Sequence, residues 1–530
     1  MNNFQVTNLD IAVLIVYVLG TRLFFGWYLA RKRLQASSEE YFLAGRNLTW
    51  PIIGFSFYVS NMSASTFVGL PASGYLQGIA VYHYEWLPAL ILIGFALWVL
   101  PSFLRSRVFT APGFLEKRFD TRTKLVFSGF LLLANIFIDA AAALYAGGMV
   151  VNVLIPGIPL WQTALAISLI AGLYIYFGGL DAVVLNDALQ AFMILAGSVV
   201  IALLAWNQIP SWEAVTSGLD AAHLHLMRPP TDEFLPWPGV ISGVLIVGIY
   251  FWCTNQFIIQ RVLGARSLDH ARWGSLFAGA LKLPNLFLLI LPGVMATALY
   301  PDLGNPDLVF PTLAFDILPV GVRGLMLAAL AAAILSSLES IYNSAATLFT
   351  MDFVAGARPD IDDRKLVVIG KMATLVFMVL AALWAPQIER FPSLWQYLQS
   401  ILSYVTPPVV AVFGAGLLWR GARSTAAFAT LLIGIPLGIV GWIGNEIGQW
   451  LQIHYLYACG ILFLCNCVLV IVLSLADKRP LSATAAGLVW STQQWTAETR
   501  QLSRGVWYRN YRIQALILLF VTLSIVVWWW

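Results

Sequence analysis

The sequence contains few charged residues, few histidines and few cysteines. Asp, Glu, Lys and Arg make up 11% of its 530 residues, whereas soluble domains average about 25%. All 4 cysteines lie within or beside apolar segments, where they are typical of small apolar side chains rather than of a disulfide or zinc framework. No polar stretch is long enough to form a soluble domain. These absences exclude a soluble enzyme, a zinc module and a disulfide-stabilised secreted domain.

The sequence has instead a succession of long apolar segments. Hydrophobic residues make up 60% of the chain, and the mean hydropathy is +0.80. A helix needs about 20 apolar residues to cross a hydrocarbon core about 30 Å thick, and about fourteen segments of that length follow one another along the chain. The sequence therefore predicts an all-α, polytopic membrane protein of about fourteen transmembrane helices, surrounded by the lipid bilayer.

The basic residues are concentrated in alternate loops. One set of loops carries clusters of Lys and Arg, among them residues 31–33 and Arg261, while the opposite set carries only Arg228, Arg323 and Arg390. Because cytoplasmic loops carry an excess of Lys and Arg, the N-terminus is predicted to lie outside the plasma (inner) membrane. With an even number of helices the C-terminus lies outside as well. The same distribution accounts for the net charge of +4, so no nucleic-acid partner is expected.

Residues 54–70 are apolar enough to enter a membrane but have a polar centre. An unsatisfied polar group in hydrocarbon costs several kcal/mol, so irregular backbone is tolerated only where it lines a cavity. One interpretation is a broken helix whose freed carbonyls face a bound ion or solute. The other is a face of small residues that lets two helices pack closely. The polar residues at the centre are Ser60, Asn61, Ser63, Ser65 and Thr66.

Two ionisable residues stand at membrane depth. Glu85 lies among aromatic residues, and Lys282 lies in the segment FAGALKLPNLF. Such residues are rare in membrane segments and mark functional sites. The alternatives are a glutamate hydrated at the interface and a lysine that snorkels, but we expect both side chains to face an internal cavity. A second polar interruption, at residues 236–256, follows the first by five predicted helices, and paired interruptions of this kind point to a transporter site.

A group of oxygen-bearing residues further along the chain is suited to a sodium ion. Ala333, Ser336 and Ser337 share one helix face because of their i, i+3, i+4 spacing. Two hydroxyls and a carbonyl there, with carbonyls freed near Val59 and Met62, would give sodium a set of hard oxygen ligands. The alternative is that both serines bond back to carbonyls of their own helix.

Several short stretches form a recognisable set. They are YFLAGR at 41–46, YEW at 84–86, WCTNQ at 252–256, IQR at 259–261, LKL at 281–283, SS at 336–337, NS at 343–344, LFTMD at 348–352 and WQYLQ at 395–399. Together they resemble the sodium:solute symporter family, specifically its sodium/glucose (galactose) cotransporter branch. The resemblance implies a LeuT-type fold whose core is a 5+5 inverted repeat of helices.

The resemblance also implies an organisation of the chain into four parts. Residues 1–46 would form a peripheral first helix and a cytoplasmic loop. Residues 47–207 and 208–422 would form the first and second five-helix repeats. Residues 423–530 would add peripheral C-terminal helices.

Two sites follow from the same resemblance. The sodium ligands would be the carbonyls of Val59, Met62 and Ala333 and the hydroxyls of Ser336 and Ser337. The sugar would contact Thr66, Glu85, Gly248, Lys282 and Gln399. The outer lid would consist of Leu70, Tyr84 and Trp395, and the inner gate would be Phe251.

Three of these positions depart from the family pattern. Thr66 replaces a longer amide, Gly248 replaces a polar residue, and Phe251 lacks the hydroxyl of the usual tyrosine. The first two changes remove hydrogen-bonding groups from the pocket. Sites that bond a hydroxyl discriminate by leaving partners unpaired, so the choice between one sugar and another, or between sugar and polyol, stays open.

Glu339 is the largest departure. It lies three residues after Ser336 on the same helix face, where the family usually has Ala or Thr, and the family arrangement places Asp187 near it. Two close carboxylates in a low-dielectric site cannot both stay ionised without a cation. We therefore expect a second cation site made by Asp187, Ser336 and Glu339. The alternative is that Glu339 pairs with an arginine of the cytoplasmic vestibule.

The expected function is that of a secondary active symporter, not an enzyme. It would couple Na⁺ to the import of a neutral sugar by alternating access. Alternatives are a sodium symporter of another small solute, such as a polyol, inositol or an organic anion, and a sodium-gated sensor that does not transport. An intramembrane enzyme such as a lipid-linked glycosyl transferase would need a cluster of acids or a metal site, and no Asp/His cluster is evident in the sequence.

Overall fold

The computed structural model describes nine stretches of the chain. They are residues 7–17, 19–20, 38–154, 157–304, 306–358, 360–390, 394–450, 452–503 and 505–530. The regular structure within them is helical, and their only β-type pairing consists of two isolated bridges, Leu48 with Ala265 and Arg228 with Pro236. The predicted all-α class is confirmed.

The helices follow one another along the whole described chain. In the first half they are Asn8–Tyr17, Ser38–Leu43, Trp50–Asn61, Ala64–Gln77, His83–Gly94, Leu100–Ser106, Ala111–Arg118, Thr121–Ala134, Ala141–Leu154, Leu160–Gln208 and Trp212–Thr216. In the second half they are Trp237–Gly239, Leu245–Cys253, Gln256–Leu263, Leu268–Lys282, Leu291–Leu299, Val309–Ile317, Val322–Thr347, Ala355–Ala357, Asp363–Trp384, Leu394–Val405, Pro407–Leu418, Ser424–Trp442, Tyr455–Ala476, Ala483–Leu488, Thr492–Leu502 and Tyr511–Trp528. Short π-helical segments at Phe95–Val99, Asn135–Ala140, Val240–Val244, Leu286–Ile290, Leu348–Val354 and Ile443–Ile447 continue several of them.

Many of these helices are suited to cross a membrane. Among the described residues, 9 helices are long and apolar enough to do so, and two bent pairs bring the number to up to 11. The bent pairs are Trp237–Cys253 with Gln256–Leu263, at 45°, and Tyr397–Val405 with Pro407–Leu418, at 49°. The chain is therefore a multi-pass membrane protein. The number of about fourteen, the inverted repeat and the four-part division of the chain stay predictions.

The first interrupted segment is a broken helix. Its halves, Trp50–Asn61 and Ala64–Gln77, are separated by Met62 and Ser63. The first half packs against Leu268–Lys282 and Leu160–Gln208. It approaches the former closely, because a Cβ added at Gly274 would lie 3.0 Å from the Trp50 carbonyl. The centre of this segment is therefore broken, as the first interpretation expects, and its first half also packs closely against a neighbouring helix.

The second half of the broken helix is also held by close backbone contact. A Cβ added at Gly293 would lie 2.2 Å from the Pro71 carbonyl oxygen, and one at Gly74 would lie 2.5 Å from the Ile290 carbonyl oxygen. Real Cβ atoms essentially never come within 3.0 Å of another heavy atom, and backbone oxygens cannot move aside as a flexible side chain can. Glycine at these positions therefore fixes how Ala64–Gln77 crosses Leu291–Leu299.

Gly293→Ala tests this crossing. We expect it to lower the stability of the purified protein in detergent by about 1–3 kcal/mol, as overpacking typically does, and to lower the thermal unfolding temperature accordingly. Gly129→Ala is the matched control, because the nearest atom to its Cβ is Phe353 Cζ at 3.9 Å. Equal unfolding temperatures for the two variants would show that the crossing tolerates a wider separation.

Candidate functional site

The break at Met62 and Ser63 diverts two amides from their helical partners. In an unbroken helix the amides of Ser63 and Thr66 would donate to the carbonyls of Val59 and Met62. In this structure Ser63 N–H donates to Asn61 O at 2.9 Å, and Thr66 N–H donates to Ser63 O at 3.0 Å. The Val59 and Met62 oxygens are thereby released, as the predicted sodium site requires.

The serine pair lies at the centre of the buried helix Val322–Thr347. The Ser337 hydroxyl is buried and has no hydrogen-bond partner among the described residues, and it lines an internal cavity. The Ser336 hydroxyl donates to Asp187 Oδ1. Neither serine bonds back to its own helix, and Ala333 is fully buried on the same face. A buried unpartnered hydroxyl in a native structure calls for an explanation, and a cation held with released carbonyls supplies one.

A cavity lies beside these oxygens. Its volume is about 140 Å³. Since a water takes up about 30 Å³ in the liquid, the cavity has room for about five waters, and a cavity of about 150 Å³ is known to bind benzene. It is lined by most of the predicted sugar and gate residues. They are Thr66, Glu85, Gly248 and Gln399 of the sugar site and Tyr84, Phe251 and Trp395 of the gates.

Aromatic rings meet at two places on the cavity wall. Tyr84 and Trp395 make an edge-to-face contact with ring centroids 5.2 Å apart. The Trp395 indole N–H is buried without a hydrogen-bond partner in the described structure. Phe251 contacts Trp252 at 5.3 Å and Phe257 at 5.5 Å. The predicted lid and inner gate are therefore aromatic contacts. Leu70, the third predicted lid residue, is fully buried but does not belong to the cavity lining.

Glu85 and Lys282 form an ion pair, and Lys282 does not belong to the described cavity lining, so its contact with a sugar stays a prediction. Lys282 Nζ lies 2.5 Å from Glu85 Oε2 and also donates to Asn61 Oδ1. Lys282 is 0% exposed, and a buried ammonium is stable only when it is paired. Asn285 Nδ2 donates to the same Glu85 oxygen at 2.5 Å. Because both contacts use Oε2 and Glu85 lines the cavity, Oε1 is the oxygen that a substrate hydroxyl can reach.

The two departures in the sugar site have visible consequences. Thr66 is buried, and its hydroxyl donates to Asn61 O at 2.9 Å, so it supports the break. A Cβ at Gly248 would lie 2.5 Å from Ile91 Cδ1. The space that a polar side chain would occupy at residue 248 is therefore filled by isoleucine, and this wall of the cavity is apolar.

Asp187 and Ser336 come together as predicted, but with a partner that the sequence did not suggest. The Asp187 carboxylate accepts from Ser56 and Ser336, and its Oδ2 lies 3.2 Å from an Arg261 terminal nitrogen. Arg261, which the charge pattern counts among loop residues, is 1% exposed and donates to Ser340 Oγ at 2.5 Å. The cation beside Asp187 is thus a guanidinium. Glu339 is fully buried on the same helix, and its part in a second cation site stays a prediction.

Sequence reasoning missed a second acid of the cavity wall. Asp139 lines the cavity from the π-helical segment Asn135–Ala140. Its signal was present, because it is an isolated acid in an apolar segment, the feature that drew attention to Glu85. Asn285 was also missed, although it links Glu85 to the Tyr58 hydroxyl, which donates to Asn285 Oδ1 at 2.9 Å. No sequence signal marks an asparagine as the support of an ion pair.

The comparisons with known proteins agree on one family. The profile of the sodium:solute symporter family matches residues 41–434. The sodium/glucose cotransporter of Vibrio parahaemolyticus is 36% identical over 461 residues, which are 81% of this chain and 84% of that protein. Sodium/myo-inositol cotransporter 2 of Bos taurus is 33% identical over 91% of this chain and 79% of its own.

Solved structures show the fold. A Na⁺-coupled sialic acid symporter in a substrate-bound outward-open state superposes with a TM-score of 0.76 at 21% identity, covering 90% of this chain and 99% of its own. Mhp1, a transporter of the nucleobase-cation-symport-1 family, superposes at 0.52 with 12% identity over 86% of this chain and 94% of its own. The predicted LeuT-type helical fold is thus confirmed.

The ion pair of Glu85 with Lys282 predicts an asymmetric response to mutation. Lys282→Met leaves a buried carboxylate without its partner and should cost about 3–5 kcal/mol of stability. The double variant Glu85→Gln, Lys282→Met removes both charges and should be markedly more stable than Lys282→Met alone. Thermal unfolding of the two variants in detergent measures the difference. A double variant no more stable than the single one would show that the two charges do not stabilise each other.

Proposed function

The chain belongs to the sodium:solute symporter family, and on that premise we propose that it imports a neutral sugar together with sodium by alternating access. It is a transporter rather than an enzyme, and sodium is its coupling ion. The observation that carries the proposal is the unpartnered Ser337 hydroxyl at the wall of a cavity that is also lined by Glu85 and Trp395. Cation and solute would therefore bind side by side.

The proposed sodium site joins the broken helix to Val322–Thr347. The released carbonyls of Val59 and Met62, the Ala333 carbonyl and the hydroxyls of Ser336 and Ser337 supply the ligands. Because the Ser336 hydroxyl gives its proton to Asp187, its lone pairs are available to a cation. Sodium would hold the two helices together, and the arrangement of the cavity would thus depend on the ion.

The proposed sugar site uses one wall of acceptors and a lid of donors. Glu85 Oε1 accepts a sugar hydroxyl, while Lys282 holds Glu85 in place and acts on the sugar through it. Gln399 and Thr66 contribute from the remaining lining. The rings of Tyr84 and Trp395 cover the C–H faces of a pyranose, an arrangement that aromatic side chains favour. Phe251 closes the inner end by packing alone, since it has no hydroxyl.

The orientation and driving force complete the proposal. The alternation of basic loops supports a protein of the plasma (inner) membrane with both termini outside. Moving one charge through 100 mV is worth about 2.3 kcal/mol, so an inside-negative potential and a sodium gradient together drive uptake. A polyol is the second candidate substrate. It is supported by the similarity to a sodium/myo-inositol cotransporter and by the apolar wall at Gly248.

Uptake into proteoliposomes tests the function and the sodium site together. We expect sodium-dependent uptake of at least one of labelled glucose, galactose and myo-inositol, and counterflow that separates transport from sensing. Ser337→Ala removes one of few oxygen ligands and should raise the sodium concentration for half-maximal uptake several-fold.

Ser275→Ala is the matched control, because that buried hydroxyl donates to Ala271 O at 2.8 Å within its own helix. Its sodium activation curve should equal that of the wild type. An unchanged sodium half-saturation in Ser337→Ala would remove Ser337 from the ion site, and sodium-independent uptake would contradict the proposed coupling.

The second cation site of Asp187, Ser336 and Glu339 makes a stoichiometric prediction. Asp187 contacts Ser336, Glu339 lies three residues further along the same helix, and two close carboxylates cannot both stay ionised without a cation. The ratio of charge to solute moved should be about two in the wild type, and Glu339→Ala should lower it toward one. Reversal potentials measured at several solute gradients give the ratio. A wild-type ratio of one, unchanged between pH 5.5 and 8, would leave Glu339 as a vestibule salt-bridge partner.

A further inference from the structure

The charges at the cavity wall do not cancel. Among the described residues that line the cavity, the ionisable acids are Glu85 and Asp139, and none of the lining residues is Lys, Arg or His. Lys282 lies behind the wall and neutralises Glu85 at 2.5 Å. Asp139 has no comparable partner: its neighbours are the Asn255 amide, Tyr250 and Tyr397. The wall therefore carries one carboxylate that no protein cation balances.

A polar atom next to Asp139 also lacks a partner. The Asn255 side-chain amide is buried and hydrogen-bonds the Asp139 carboxylate, whereas the Tyr250 hydroxyl is buried and makes no hydrogen bond within the described structure. Asn255 is 0% exposed and Tyr250 is 1% exposed. Asn255 stands at the bend between Leu245–Cys253 and Gln256–Leu263, where a second helix is interrupted. Unsatisfied buried polar groups are rare in native proteins, so this cluster is suited to a ligand that both donates and accepts.

We propose that Asp139 is a substrate-binding residue that selects solutes by charge: it accepts a hydroxyl of the bound sugar and excludes solutes that carry a carboxylate. This inference rests on the proposed function and narrows its substrate class to neutral and amino sugars. Glu85 and Asp139 provide two acceptors on the wall of the same cavity, and a sugar ring carries several hydroxyls that can donate to them. An anionic solute would meet an unbalanced negative charge where the surroundings screen it poorly.

Matched sugars measure this selection directly. Six compounds are compared: glucose, galactose, and the 2-amino and uronate form of each. Each compound competes with the labelled neutral sugar for binding to the purified protein in the presence of sodium. For the wild type we expect the neutral and amino forms to compete and the uronate to bind at least about tenfold more weakly. Asp139→Asn keeps the shape and removes the charge, so the ratio of uronate to neutral affinity should move toward one.

Two further variants secure the interpretation. Asp139→Glu keeps the charge and should keep the discrimination against the uronate. Asp316→Asn removes an exposed acid that accepts from Tyr300 at 3.0 Å and should leave every ratio unchanged. Each variant is first shown to unfold at a temperature close to that of the wild type.

The outcomes separate this inference from the proposed function. Suppose that the neutral sugar still binds and that the ratio of uronate to neutral-sugar affinity is the same in the wild type and Asp139→Asn. This result overturns the selection by Asp139 but does not contradict sugar transport. Failure of all six compounds to bind the wild type overturns the proposed function and this inference with it. If Asp139→Asn binds no neutral sugar but unfolds at the wild-type temperature, the contact between Asp139 and the sugar is supported. The selection by charge is then tested with Asp139→Glu, which should still bind the uronate more weakly than the neutral sugar.

Discussion

The break in the helix at Met62 and Ser63 is the constraint on which the rest of the site depends. Hydrocarbon offers no partner to a free carbonyl, so such a break is stable only where something polar meets it. The structure surrounds it with polar groups: Asn61 accepts from Ser63, Thr66 and Lys282, and the serines of Val322–Thr347 lie on the far side of the proposed ion site. If sodium binds the released carbonyls as proposed, it joins two helices, and its binding would then change how they pack.

Two buried ion pairs hold the elements around this break. Glu85 with Lys282 ties His83–Gly94 to Leu268–Lys282. Asp187 with Arg261 ties Leu160–Gln208 to the second interrupted helix, and serines of two further helices complete that network. A buried pair with well-packed surroundings adds little net stability, but the loss of one partner is costly. Their value here is positional, since they fix both interrupted helices relative to the ion site.

The sequence was sufficient for the class of the protein and for the residues whose polarity is out of place. Apolar length predicts membrane helices, and the polar centre of residues 54–70, Glu85 and the Ser336–Ser337 pair all stood out against an apolar background. The sequence did not show which side chains pair with each other or which way they point. Arg261 counts as a loop residue by its position, yet tertiary packing buries it against Asp187. Lys282 stands out in the sequence by its depth, but only the structure shows that its ammonium contacts Glu85.

The departures from the family pattern change what the cavity can recognise. Ile91 fills the space next to Gly248, so this wall offers surface area but no hydrogen bonds. The ammonium of Lys282 is turned toward Glu85, so the charged groups that reach the cavity are acceptors. Donors come from neutral groups at other points of the wall, such as the Trp395 indole. A cavity built in this way binds a solute through the solute's own donors. A ring rich in hydroxyls meets that requirement at several points, whereas a carboxylate-bearing solute gives up donors and adds a charge that nothing on the wall balances.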